Sequence, residues 1–200
     1  MKKSLIILIA VLAVIIVAVM SGVGKYNGLV SQDEGVMSQW SNVENVYQRR
    51  ADLIPNLVET VKGYAAHEQE TLTGVVEARA KATQVTAELS KEAMNDPAAL
   101  QKFQAAQGAL GSALGRLMVV VEKYPDLKAN QNFLDLQVQL EGTENRIAVE
   151  RRRFNEVAQG FNAAIRRFPG SIIAGFAGLK KHAYFESTEG AEQAPKVSFK

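Results

Sequence analysis

Apolar residues fall into two regimes along this chain: one unbroken block near its start, then recurrence at spacings of three and four. The block runs from Leu5 to Met20 and contains only Leu, Ile, Val, Ala and Met. No charge appears between Lys3 and Lys25, a stretch of 21 residues. As a helix it would be about 31 Å long, close to the hydrocarbon thickness of a bilayer. Lys2 and Lys3 would also suit a cleaved signal peptide. The run exceeds a typical signal core, however, and Ala18-Val19-Met20 is a poor small-x-small site. Residues 1–24 are therefore read as a retained transmembrane signal anchor.

The later spacing predicts helices throughout, since few runs alternate with period two. Gly22, Gly24, Asn27 and Gly28 lower helix propensity after the anchor and predict a flexible joint or frayed helix there. A first bundle helix carries Tyr26, Leu29, Val36, Trp40, Val43 and Tyr47. The run Asp52-Leu53-Ile54-Pro55 predicts its end, with Asp52 capping the second helix and proline in the first turn. That second helix aligns Leu57, Val61, Tyr64, Leu72, Val75, Ala78, Ala82, Val85 and Leu89. Asp96-Pro97 starts a third, whose rows are Leu100, Gln107, Leu114, Val121 and Phe103, Leu110, Leu117, Tyr124; Pro125 ends it. In the fourth, Phe133, Leu140, Ile147, Phe154, Phe161 and Phe168 stand seven apart, beside Leu136, Thr143, Glu150, Val157 and Ala164. This seam implies a long helix of coiled-coil-like packing, ending at Pro169-Gly170. Short loops make the later helices antiparallel neighbours.

The fold class expected is all-α: a transmembrane helix followed by an antiparallel bundle of four long helices. The bundle domain covers residues 25–186. It includes a short apolar segment, Ile172 to Leu179, whose residues 172, 173, 176 and 179 fit one face. That face is expected to dock on the bundle, a neighbouring subunit or the bilayer. Residues 187–200 are polar and read as a flexible tail.

Composition narrows the chemistry. Of 200 residues none is cysteine, which excludes disulfides, thiolate catalysis and cysteine metal sites. A net charge of +2 gives no footprint for wholesale nucleic-acid binding.

The run Arg49-Arg50-Ala51-Asp52-Leu53-Ile54-Pro55-Asn56-Leu57-Val58-Glu59-Thr60-Val61-Lys62-Gly63-Tyr64 resembles the hallmark of the LemA family. The likeness continues through Ala65-Ala66-His67-Glu68, Glu77-Ala78-Arg79, Tyr124 to Asn130, Glu150 to Asn155, Phe161-Asn162 and Ile165 to Pro169, and begins at Tyr26 to Val30. Phe154 and Phe161 stand where the family often has tyrosine, so no hydroxyl role carries over. The resemblance implies a bacterial inner-membrane protein with one anchor and a helical bundle. It supplies no reaction and no catalytic residue.

Enzyme signatures are missing from the sequence. A di-metal bundle needs two Glu-x-x-His motifs, but Tyr64 precedes His67 by three and Leu179 precedes His182 by three. Thr71 stands where a zincin helix beginning at His67 needs its second histidine. His67 therefore reads as a structural histidine beside the core stripe. No Walker loop or Gly-x-Ser-x-Gly elbow occurs. Gly108, Gly111 and Gly115 lie mid-helix and read as close helix packing. Arg49 and Arg50 read as cations that complement the C-terminal end of the first helix and can pair with carboxylates, with an anion site the alternative. Arg146 and Arg151-Arg152-Arg153 read as partners of neighbouring carboxylates, with lipid headgroups or an acidic partner the alternative. Thr143 and Glu150 fall on the seam, where Glu150 should meet an arginine.

No catalytic, cofactor-binding or metal residue is assigned. The expected function is a non-enzymatic, self-assembling scaffold of the bacterial envelope; the alternative is an adaptor for a membrane or periplasmic protease or transporter. Expected partners are the lipid bilayer, further copies of the chain and an unknown envelope protein, without nucleic acid. Lys2 and Lys3 outweigh Lys25 across the anchor, which puts the N-terminus in the cytoplasm and the bundle outside it.

Overall fold

The computed structural model describes residues 2–186. The tail expected at 187–200 lies outside them. Six helices follow one another: α1 (Lys2–Lys62), α2 (Gln69–Ala93), α3 (Pro97–Val121), α4 (Pro125–Lys128), α5 (Gln131–Arg166) and α6 (Gly170–Ala177). The fold is an all-helical bundle in which α1 pairs with α5 and α2 pairs with α3, while α1 also touches α2.

The largest departure from the sequence reading is α1. The anchor and the first bundle helix form one helix of 61 residues, and neither the glycines at 22–28 nor Pro55 interrupts it. At helical rise it is about 90 Å long. Pro55 lacks the N–H that would bond the Ala51 carbonyl, which normally breaks or kinks a helix. Here the Arg79 Nε–H of α2 donates to that carbonyl at 2.7 Å. Arg79 thus replaces the missing bond from outside, and the predicted boundary at Asp52 disappears. The break comes later, between Gly63 and Glu68, which divides the expected second helix. Tyr64 is consequently half-exposed rather than part of a continuous stripe.

Elsewhere local signals act as expected. The Asp96 side chain accepts from the Ala98 N–H at 3.0 Å, with Pro97 in the first turn of α3. Asn130 caps α5 by accepting from the Phe133 N–H at 3.1 Å. Phe133, Leu140, Ile147, Phe154 and Phe161 are all buried on α5. Phe168, the sixth position of that row, is not: α5 ends at Arg166, Arg167 turns extended, and Phe168 stands 81% exposed. Gly178 ends α6 with φ +68, the left-handed conformation that suits glycine.

The buried residues form two clusters. The distal one is aliphatic, built on Ile54, Leu57, Val61, Leu110, Leu117 and Leu127 with Phe133. The one nearer the anchor is aromatic, built on Trp40, Tyr47, Phe103, Phe154 and Phe161. It is completed by an extended strap, residues 179–186, which runs back over the bundle after α6. The helix lengths explain the need for a strap. With 25 residues each, α2 and α3 are about 37 Å long, against about 54 Å for the 36 residues of α5. The α2–α3 hairpin therefore stops short, and the strap covers what it leaves open.

Candidate functional site: a polar layer and an anchored strap

Between the two cores lies a polar layer, buried at Arg50 and Gln107 and open to solvent at Glu144, to which each long helix contributes one side chain. Arg50 of α1 is 4% exposed. Its Nη1 donates to Glu144 Oε1 of α5 at 2.8 Å. Its Nη2 donates to the Gln107 side-chain oxygen of α3 and to the Gln107 carbonyl at 3.2 Å. Gln107 Nε2 in turn donates to Thr86 Oγ1 of α2 at 3.0 Å. The guanidinium also lies over the Tyr47 ring, 5.2 Å from its centroid. Burial pushes the Tyr47 hydroxyl above its usual pKa, with the nearby Arg151 and Arg50 charges opposing. Such a layer tolerates few other registers, because a slip would leave a buried charge unpaired.

Of the two reasons that singled out Arg50, pairing with a carboxylate holds at Glu144 and complementing a helix end does not. The helix does not end there, so neither Arg49 nor Arg50 can complement a terminus. Arg49 is exposed and donates to Gln139 Oε1 at 3.2 Å. The other basic group behaves closer to expectation. Glu150 accepts from Arg153 Nη1 at 2.8 Å and from Gln39 Nε2 at 2.6 Å. Arg152 lies 3.9 Å from Glu156, and Arg146 is exposed. Arg151 instead belongs to the strap: it sits 4.7 Å over the Phe185 ring and donates to the Glu186 carbonyl.

Two further expectations fail. His67 is exposed in the turn after α1 rather than set beside the core, because the helix ends before it. Gly108, Gly111 and Gly115 face outward, and a Cβ added to any of them would meet nothing within 4 Å. The buried rows of α3 run through Phe103, Leu110 and Leu117, on the other side of the helix.

The strap is held by two asparagines that the sequence reading quoted without giving them a role. Asn162 accepts from the His182 N–H at 2.9 Å and donates to the His182 carbonyl at 2.8 Å. One heptad earlier, Asn155 makes the same pair with Phe185, both at 2.8 Å. Each asparagine thus mimics a strand neighbour, satisfying a buried backbone donor and acceptor together. The Ala183 N–H donates to the Met94 carbonyl at 2.7 Å, tying the strap to the α2–α3 turn. His182 Nε2 lies 2.7 Å from Asp33 Oδ1 of α1. Phe185 stacks on Trp40 at 5.7 Å and meets Phe154 edge-on at 5.5 Å. One signal was available: Asn155 and Asn162 each follow a seam phenylalanine and stand seven apart.

The arrangement is one of packing and fixed hydrogen bonds. Among the described residues no group of three or more His, Asp or Glu side chains is placed to hold a metal ion. The first part of α1 is long and apolar enough to cross a membrane, and none of that stretch is buried against the bundle.

The magnetosome protein MamQ of Magnetospirillum gryphiswaldense is 30% identical over 175 residues, covering 80% of this chain and 64% of that protein. MamQ 1 of Paramagnetospirillum magneticum is 29% identical over 176 residues, covering 81% and 65%. The match thus spans less than two thirds of the length of those relatives. The LemA protein of Metamycoplasma hominis is 25% identical over 167 residues, covering 84% of this chain and 71% of that protein. The LemA family model matches residues 39–199, a stretch that takes in the polar layer and both strap asparagines, and the chain belongs to the LemA family.

Proposed function

We propose that this protein is a non-enzymatic scaffold of the bacterial inner membrane, anchored by a single pass and working by self-assembly. The observation that carries the reading is the continuity of α1. One helix serves as membrane segment and as core helix of the bundle, so the bundle is held at a set height and angle without a hinge. A device that only needed tethering would work as well on a flexible linker. The side chains with the most elaborate polar contacts are spent on internal register and on the strap. The positive-inside bias of Lys2 and Lys3 supports an N-terminus in the cytoplasm and a bundle on the far side.

Mass measurement on the full chain extracted in mild detergent, with in-membrane cross-linking beforehand, tests the reading. A homo-oligomer of defined mass is expected. A monomer accompanied by a stoichiometric foreign subunit would replace it with an adaptor role toward a membrane protease or transporter. Turnover of a substrate by the purified protein would overturn the non-enzymatic assignment. A C-terminal fusion active only in the cytoplasm would invert the orientation.

A further inference from the structure

The apolar residues of the α6 region divide into two sets. Ile173, Ala174 and Leu179 pack against the aromatic core. Phe168, Ile172 and Phe176 point outward and are 81%, 53% and 92% exposed. Ile172 and Phe176 stand four apart on α6 and so share one stripe, while Phe168 is exposed in the turn that leads into the helix. Two exposed phenylalanines and an isoleucine in one place are unusual on a soluble surface.

Their height above the membrane follows from α1. Lys25 is the first charge after the 21 uncharged residues, so the bilayer boundary falls beside it. Gly170, the first residue of α6, packs there: a Cβ added to it would lie 3.7 Å from Lys25 Cε and would collide with the Ala164 carbonyl. Just beyond α6, His182 meets Asp33, which is eight residues or about 12 Å further along α1. Thus α6 is confined to the layer immediately next to the bilayer.

The charges carried by this part of the chain are of one sign, and the nearby carboxylate of α1, Asp33, is taken up by His182. No acidic residue occurs between Glu156 and Glu186, while Arg166, Arg167, Lys180 and Lys181 flank the segment and are exposed. Lys25, Arg167 and Phe168 share the wall of an open hollow of about 510 Å³ between α1 and α5. We infer that α6 is a second membrane contact: Phe168, Ile172 and Phe176 enter the interface of an anionic phospholipid bilayer, and the flanking cations engage its headgroups. The anchor then fixes the bundle at one point and α6 at another, which prevents rotation about α1.

The inference rests on α1 crossing the bilayer, so the experiment separates the two. The full chain and its Phe176→Trp variant are reconstituted into phosphatidylcholine–phosphatidylglycerol vesicles, with or without bromine on the acyl chains. Flotation with the vesicles reports the anchor; failure to float overturns both readings. In floating protein, the indole at position 176 is expected to emit blue-shifted light and to lose most of it to brominated lipid. The native Trp40, about 22 Å along α1 from Lys25, should keep its emission. An indole at 176 that bromine does not quench overturns the proposal, whether its emission is that of water or of burial against another copy. Quenching that is unchanged in pure phosphatidylcholine overturns the role given to the cations.

Discussion

The two cores of this bundle solve the same problem with different means. At the distal end α1, α2, α3 and α5 all line the interior, which is filled mainly by Leu, Ile and Val with Phe133 as its one large ring. Nearer the membrane the α2–α3 hairpin contributes only its turn and the start of α3 before α1 and α5 continue past it. There the interior is filled by wide flat rings, Trp40, Phe103 and Phe154, and closed by Phe185 from the strap. Where the hairpin turns away, the cover it would give is replaced by aromatic volume and by a strap whose backbone is satisfied by the two asparagines and the Met94 carbonyl. The distal core depends on helix periodicity; the proximal core depends on contacts between residues far apart in sequence.

Truncating each core should expose that difference. Phe154→Ala is expected to cost about 3–5 kcal/mol and Leu117→Ala about 2–5 kcal/mol, since both side chains are fully buried. Only Phe154→Ala should speed amide hydrogen exchange at Ala183 and Phe185, because it removes the surface on which Phe185 rests. Equal exchange in the two variants would erase the distinction. A loss below about 1 kcal/mol for Phe154→Ala would place that residue outside the core altogether.

These contrasts mark what could be seen in advance. The α5 seam, the Asp96-Pro97 start and the uncharged anchor were legible because each is a local signal: a period, a cap or a length. The continuity of α1 was not, because Pro55 is locally a breaker and the group that compensates, Arg79, lies on another helix. Nor was the strap: an extended segment held by Asn155 and Asn162 has no period of its own. For Arg50 a carboxylate partner was legible, but not the helix that continues past it nor that its partners Glu144 and Gln107 come from α5 and α3. Phe168 kept the heptad spacing after its helix had ended.

Arg79 gives the next effect in size. Arg79→Ala removes a charge-assisted hydrogen bond to a backbone carbonyl and should cost about 1.5–3 kcal/mol by denaturant unfolding. Pro55→Ala returns the N–H to Ala51, so the double variant should recover much of that loss. Strict additivity of the two changes would refute the compensation.

On the proximal side, Asn162→Ala strips the His182 backbone of two partners. About 1–3 kcal/mol is expected, with lost exchange protection at His182. Asn155→Ala should do less, because its contacts are only half-buried. The reverse order would show that the strap is held from its Phe185 end.

The smallest effect concerns Glu44. Burial raises its pKa from the usual value, although the Trp40 indole hydrogen-bonds to it. A raised folded pKa means that the folded state holds the proton longer, so stability falls as pH rises from the unfolded value near 4.5 through the folded one. Glu44→Gln keeps an acceptor for Trp40 and removes the charge. It should raise Tm at pH 7 and leave Tm unchanged at pH 3.5; a gain confined to the acidic side would reverse the sign.

The central claim is that membrane segment and bundle share one uninterrupted helix. With no native cysteine, Ser21→Cys and Ser38→Cys can carry a pair of spin labels on exposed positions of α1, one on each side of Gly22, Gly24 and Gly28. In the reconstituted full chain, pulsed electron paramagnetic resonance should give one narrow distance distribution, centred at the backbone separation of about 26 Å for 17 residues of helix, shifted only by the label arms. A broad distribution, or several distances, would mean a hinge at the glycines and would contradict the account.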